Sequence, residues 1–173
     1  MSLTFAPIHT DEQIALAAKL ADEIWNEHYS VLLSKQQIDY MLERFQSPDA
    51  IEEQIRRKDY SYYFMESGGE PIGYLAVKPE DGKLFLSKFY LLKAHRGKGF
   101  ASRAIEFLEM LCGEGGLEAI WLTVNRDNQG SIAVYEKKGF RTVRTQVADI
   151  GNGFVMDDYV MEKAVANASP KAR

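Results

Sequence analysis

Residues His95 to Ser102 read HRGKGFAS, two basic side chains and two glycines at a strand-to-helix boundary in a net acidic chain. A glycine inside an element costs about 0.5–1 kcal/mol relative to alanine, so a pair at a boundary marks a place where something approaches the backbone closely. A helix N-terminus offers unpaired N–H groups and the positive end of the helix dipole, which suit phosphate oxygens. Gly97 and Gly99 would let a phosphate come close, while Arg96 and Lys98 add positive charge. Two common phosphate modules do not fit. The P-loop G-x-x-x-x-G-K-[ST] is absent, and the dinucleotide fingerprint G-x-G-x-x-G meets Ser102 at its third glycine. That fingerprint also wants an acidic residue at the end of the next strand, which here ends TVN.

The elements that must position this loop follow from periodicity. LTFAPI reads as a short strand, with Pro7 placing it at an edge or near its end. Thr10 to Gln13 is a capping box, and the helix after it carries Ile14, Ala17, Ala18, Ala21, Ile24, Trp25 and His28 on one face. Ser34 repeats the cap signature before Ile38, Met41, Leu42 and Phe45 at helical spacing. Ser47 and Pro48 supply an N-cap and a first helical position. Helix therefore fills roughly residues 10–57. The period then changes. YSYYFMES, EPIGYLAVKP and GKLFLSKFYLL are rich in aromatic and β-branched residues and are separated by turns at SGGE and PEDGK, which predicts a three-stranded antiparallel meander.

After the loop, Ala101, Ala104, Ile105, Leu108, Leu111 and Cys112 form a helical stripe that GEGG is expected to stop. AIWLTV is apolar on both faces, as expected of a central strand covered on both sides. NRDNQGSIAVYEKKG predicts a helix capped at Asp127 or Asn128 and ended by Gly139. FRTVRTQV and FVMDDYVMEK flank IGNG, a hairpin signal, and residues 164–173 read as a frayed tail.

Composition bounds the function. The 173 residues are 46% hydrophobic and 27% charged with a net charge of −4, enough for one domain and unfavourable to general nucleic-acid binding. The single cysteine, Cys112, can form no intrachain disulfide and reads as a buried, inert thiol. Three scattered histidines give no metal cluster, so no metal is expected. No apolar run approaches a membrane span and the N-terminus lacks a signal-peptide pattern, so the expectation is a cytoplasmic protein with no membrane partner.

RGKGFA, through Arg96, Gly99 and Ala101, resembles the R/Q-x-x-G-x-G/A motif of the Gcn5-related N-acetyltransferase (GNAT) superfamily. DNQGSIAVYEKKGF resembles the family's second landmark, N-x-x-(small)-x-x-x-Y-x-K-x-G-F, through Asn128, Ser131, Tyr135, Gly139 and Phe140. The two landmarks stand in the family's order, separated by one helix and one strand, and the likeness covers roughly residues 60–163. It implies an α/β (α+β) fold: a mixed central sheet of about seven strands, an antiparallel meander then a strand–helix–strand unit, with helices on both faces. It also implies one domain over residues 1–163.

The resemblance implies transfer of an acetyl group from acetyl-CoA to an amine by direct attack in a ternary complex. The alternative is a non-catalytic acyl-CoA-binding or regulatory domain of the same fold. The backbone of Gly97, Lys98, Gly99, Phe100, Ala101 and Ser102, with Arg96 before it, would bind the pyrophosphate. The amides of Phe89, Tyr90 and Leu91 would hold the pantetheine arm and polarise the thioester carbonyl. Asn128 would meet the pantetheine or the acyl end, and Tyr135 matches the general acid for the departing thiolate. A phenol, ordinarily near 10, is a sensible donor to a thiolate near 8.5. Two plainer readings stand beside these: Tyr135 as a packed helix aromatic and Asn128 as an N-cap alone.

Some relatives carry a glutamate five residues before the motif asparagine. Here that position is Thr123, which takes up no proton, so a base must come from elsewhere or be dispensable. On the acceptor side, Trp25, Tyr29, Tyr40, Met41 and Phe45 could wall a pocket, with Glu27 or His28 adding polarity; the plainer reading makes most of them core. Asp157 and Asp158 interrupt an apolar strand, on opposite faces of it. One of them attracts an ammonium group, or they are charges that guard an exposed edge strand. The stretch LSKQQIDYMLERFQSPDAIEEQI is similar to bacterial members of the polyamine-acetylating group and fixes no substrate. The acceptor's identity and the oligomeric state, a homodimer included, stay open.

Overall fold

The computed structural model describes residues 2–165. In chain order the elements are β1 (Thr4–Pro7), α1 (Asp11–Tyr29), α2 (Lys35–Gln46), α3 (Pro48–Arg57), β2 (Ser61–Ser67), β3 (Glu70–Glu80) and β4 (Lys83–Leu91). A 3₁₀ turn (Lys93–His95) follows, then α4 (Phe100–Gly115), β5 (Ala119–Asn125), α5 (Gln129–Lys137), β6 (Arg141–Gly151) and β7 (Phe154–Ala164). The strands form a seven-stranded mixed sheet in the order β1-β2-β3-β4-β5-β7-β6. β1 is an edge strand and Pro7 is its last residue, so both placements open to Pro7 hold. Among the described residues the chain divides into two compact units, residues 2–78 with 88–100, and residues 79–87 with 101–165.

The first unit is built on helix caps legible in the sequence. Thr10 accepts from the Gln13 N–H while the Gln13 side chain accepts from the Thr10 N–H, a complete capping box. Ser34 and Ser47 cap α2 and α3 by accepting from the Gln37 and Ala50 N–H groups, with Pro48 opening α3. α1 buries Ile14, Ala17, Leu20, Ala21, Ile24, Trp25 and Tyr29. A polar chain runs through this core. Trp25 Nε1 donates to Tyr74 Oη at 3.0 Å, Tyr74 donates to Gln46 Oε1 at 2.6 Å, and Gln46 Nε2 donates to Tyr62 Oη at 2.9 Å. Tyr62 in turn donates to Gln54 Oε1 at 2.6 Å. Each buried donor thus meets an acceptor, which offsets the cost of burying polar groups among apolar ones. Burial drives the phenols of Tyr62 and Tyr74 well above their ordinary range, so both stay protonated donors.

Gly73 on β3 is a required glycine. A Cβ there would lie 2.3 Å from the Tyr90 carbonyl oxygen and 3.1 Å from Leu91 Cα. The backbones of β3 and the end of β4 therefore meet where no side chain fits, and the Leu92 N–H donates to the Ile72 oxygen at 2.9 Å beside them.

In the second unit β5 pairs with β4 in parallel, Leu84 with Ile120 and Phe85 with Trp121, and with β7 antiparallel along its whole length. Leu91 and Asn125 carry no pairing in the β4–β5 ladder among the described residues. The predicted stripe of α4 buries Ala104, Ile105, Leu108 and Cys112, and the Cys112 thiol, pushed up to about 11 chiefly by burial, points to the Ala119 carbonyl at 3.9 Å. That is the inert cysteine the stripe predicts.

GEGG stops α4 as expected, while three other expectations need correction. The helix runs through Gly113 and Gly115, and Gly116, the last glycine of GEGG at φ 68°, ends it. Two glycines weaken a last turn by about 1 kcal/mol each, less than the packing of the stripe supplies. β5 is not covered on both sides; Ile120, Leu122 and Val124 are buried while Trp121, Thr123 and Asn125 are half-buried on the opposite face. Ala164 is not tail, because it pairs with Ala119 in β7, and the Val165 N–H donates to the Glu118 oxygen at 3.0 Å. The rest of the expected tail lies outside the described residues. Finally, β7 is no edge strand: it runs between β5 and β6, joined to β6 through a turn with Asn152 and Gly153 at positive φ. The edge reading of Asp157 and Asp158 therefore falls.

Candidate active site

The loop after β4 adopts the backbone its glycines permit. Gly97 and Gly99 have φ of 76° and 80°, in the left-handed region that L side chains avoid, and a Cβ at either would meet nothing within 4 Å among the described residues. Their backbone is open to an incoming group, and α4 starts directly after them at Phe100. Lys98 is exposed, whereas Phe100 is buried in the core, so only its main chain can serve a ligand. Ala101 and Ser102 are half-buried in the first turn of α4. The Ser102 hydroxyl accepts from the Lys138 ammonium, a cation that the sequence analysis did not single out. Lys163 joins Lys138 by donating to its carbonyl oxygen at 2.8 Å.

Arg96 is held in place before the loop. Its Nε donates to the Leu91 carbonyl at 3.2 Å and its guanidinium lies 3.8 Å from Glu27, which also accepts from the Lys93 N–H at 2.6 Å. Arg96 and Glu27 thus clamp the turn after β4. Of the strand-end residues, Phe89, Tyr90 and Leu91 are half-buried. The Tyr90 ring packs against Trp25 and Tyr74 at 5.5 and 5.8 Å, and its hydroxyl lies 2.9 Å from that of Tyr29. Its side chain belongs to the aromatic core, leaving the main chain for other work.

The helix α5 carries the second set. Asn128 is its N-cap, with Oδ1 accepting from the Ser131 N–H at 3.2 Å. Tyr135 is half-buried, edge-on to Phe140 with centroids 5.5 Å apart. At the end of β5, the Asn125 side chain accepts from the Asp127 N–H at 2.8 Å and shapes the turn into α5.

Of the acceptor-side candidates, Trp25 and Met41 are core residues, as the plainer reading has them, and Tyr29 is buried with them. Tyr40 accepts from Arg44 at 2.8 Å, and Phe45 is half-buried under the same guanidinium at 5.3 Å. His28 is half-buried beside Tyr29, and burial, followed by the charge of Arg96, lowers its basicity. Asp158 is 6% exposed and its carboxyl is pushed up to about 6, by burial first and then by the charge of Asp157.

A chain with an open glycine turn before one helix and an asparagine-capped, tyrosine-bearing helix one strand later matches a family model. The model is the acetyltransferase (GNAT) family, over residues 19–140. The chain belongs to the GNAT acetyltransferase family. An uncharacterised N-acetyltransferase of Mycobacterium bovis is 32% identical over 94 residues, 54% of this chain and 60% of that protein's length. One from Lactobacillus delbrueckii subsp. lactis is 24% identical over 132 residues, 72% and 76% of the two chains. Among solved structures, the PaiA N-acetyltransferase of Thermoplasma acidophilum in complex with coenzyme A superposes with a TM-score of 0.78 at 21% identity, covering 95% of this chain and 99% of that one. The ribosomal-protein-S18-alanine N-acetyltransferase of Escherichia coli gives 0.71 at 14% identity over 99% of each chain. These likenesses establish the GNAT fold. The family model begins inside α1 and ends at Phe140, so it spans both landmarks read in the sequence.

Proposed function

We propose that this GNAT chain transfers an acetyl group from acetyl-CoA to an amine by direct attack in a ternary complex, with residues 1–163 working as one domain. The carrying observation is the loop of Gly97 and Gly99, whose left-handed, uncovered backbone leads into the N-terminus of α4. There the loop N–H groups and the helix dipole suit the pyrophosphate, and Lys138 on Ser102 adds a cation beside them. The main chain of Phe89 to Leu91 would receive the pantetheine arm and polarise the thioester carbonyl. As the neutral amine nitrogen bonds to the carbonyl carbon, the carbon–sulfur bond breaks, the Tyr135 hydroxyl gives its proton to the thiolate, and the proton leaving the nitrogen passes to water, from which the phenol is restored. Asn128 caps α5 and so fixes the helix that presents Tyr135. The reading is tested by titrating acetyl-CoA into the wild type and Gly99→Glu in a calorimeter. The side chain and negative charge of glutamate at φ 80° should abolish binding while the fold persists. Unchanged affinity in a folded variant removes the pyrophosphate assignment.

A further inference from the structure

We propose that Asp158 is the docking group for a cationic acceptor, its carboxylate receiving an ammonium group of the amine. The inference rests on the proposed transfer to an amine. At Asp158, β7 is pinned on both sides, opposite Asn125 of β5 and Gln146 of β6. Both neighbours carry neutral amides. Asp158 is 6% exposed, and its buried Oδ1 has no hydrogen-bond partner among the described residues. A buried carboxylate is costly unless a cation or donors meet it.

The nearby guanidinium goes elsewhere. Arg126 places Nη1 3.3 Å from Asp157 Oδ2, lies over the Tyr159 ring at 5.3 Å, and donates its N–H to the Asp157 carbonyl at 3.1 Å. Asp157 is thereby paired through Oδ2, although its own Oδ1 is also buried without a hydrogen-bond partner among the described residues, and alternation along the strand turns it to the other face. Asp158 is left as a buried carboxylate with an uncommitted oxygen. Its position is also the useful one. It faces Asn125, the last residue of β5, from which the chain turns directly into Asn128 and the helix bearing Tyr135. Thr123, two residues earlier on β5 and opposite Val160, shares that face of the sheet, so the carboxylate that β5 lacks there is supplied by the adjacent strand. An acceptor arriving as a cation relieves the cost of the buried charge, and a neutral or anionic acceptor does not.

The test uses the full chain saturated with coenzyme A and 1,4-diaminobutane as the cationic probe, followed by calorimetry at pH 7.5. The wild type is expected to bind the diamine, and Asp158→Asn to weaken it by about 30-fold or more, the loss typical of removing one partner of a buried charge pair. Asp157→Asn serves as the comparator, circular dichroism as the folding control, and Asp158→Ser as the second variant should the amide misfold. Undetectable diamine binding by the wild type, unchanged affinity in the folded Asp158 variants, or an equal loss in Asp157→Asn overturns the proposal. Thiol release from acetyl-CoA is scored separately. Diamine binding that depends on Asp158 without turnover keeps the ammonium site and removes the transferase reading. Wild-type KM for the diamine in Asp158→Asn removes the site and leaves the transferase.

Discussion

Tyr135 stands half-buried on α5, edge-on to Phe140, so replacing it with phenylalanine removes one oxygen and leaves the packing. If its hydroxyl protonates the thiolate, Tyr135→Phe lowers turnover by about 10²- to 10⁴-fold, nearer the lower end because water substitutes in part. Acetyl-CoA affinity and the melting temperature should hold; wild-type turnover in the folded variant, with chemistry limiting, makes Tyr135 a packing aromatic only. Asp158 yields a second residue-scale prediction that needs no substrate. Its folded carboxyl is raised from 3.8 to about 6, so the native state favours the protonated form. The stability this contributes is complete below pH 3.8 and is lost as pH rises through 6, about 3 kcal/mol at most. Asp158→Asn should therefore melt higher than the wild type at pH 8, with the gain vanishing towards pH 4. An equal melting temperature at pH 8 contradicts the buried, ionised carboxylate. The sequence exposed Asp158 as a charge in an apolar strand but left its role open, because only the strand order makes β7 an interior strand. Gln46 and Lys138 went unread: a polar residue ending one helix and a lysine in a charged run have no periodic signature, and their partners Tyr74 and Ser102 lie far along the chain.

Elements were read more securely than single residues, and the reason is local chemistry. The capping box at Thr10, the serine caps at Ser34 and Ser47, and the Asn152–Gly153 turn each specify backbone within a few residues. Where tertiary packing decided, a local signal misled: β5, apolar on both faces, kept one face half-open. Gly73 belongs to the same class, since nothing local tells that the Tyr90 carbonyl comes within 2.3 Å of where its Cβ would be. Gly73→Ala should force β3 from the end of β4, destabilising the protein by about 1–3 kcal/mol in chemical denaturation. Because Tyr90 and Leu91 are also proposed to line the pantetheine arm, acetyl-CoA binding should weaken in the same variant. A variant with wild-type stability and affinity contradicts that close approach.

At the scale of the molecule, the two landmarks and the succession of helices, meander and strand–helix–strand were enough to indicate the GNAT family, whose model covers residues 19–140. The order β4-β5-β7-β6 was not written in any single stretch, because pairing of β7 with both β5 and β6 joins segments distant in sequence. If the two compact units serve as one domain, the chain should melt in one cooperative transition. Acetyl-CoA at 100 times its Kd should raise that transition by about 5–10 °C through mass action. Two separate transitions, with only one moved by acetyl-CoA, contradict the single domain. The central claim is met most directly by following free thiol from acetyl-CoA against a panel of amines, with the acetylated product identified by mass spectrometry. The account predicts amine-dependent release, one acetylated amine per thiol, and loss of most of that rate in Tyr135→Phe. Acetyl-CoA binding with no amine raising thiol release above hydrolysis would instead make the chain a non-catalytic acyl-CoA-binding member of its family.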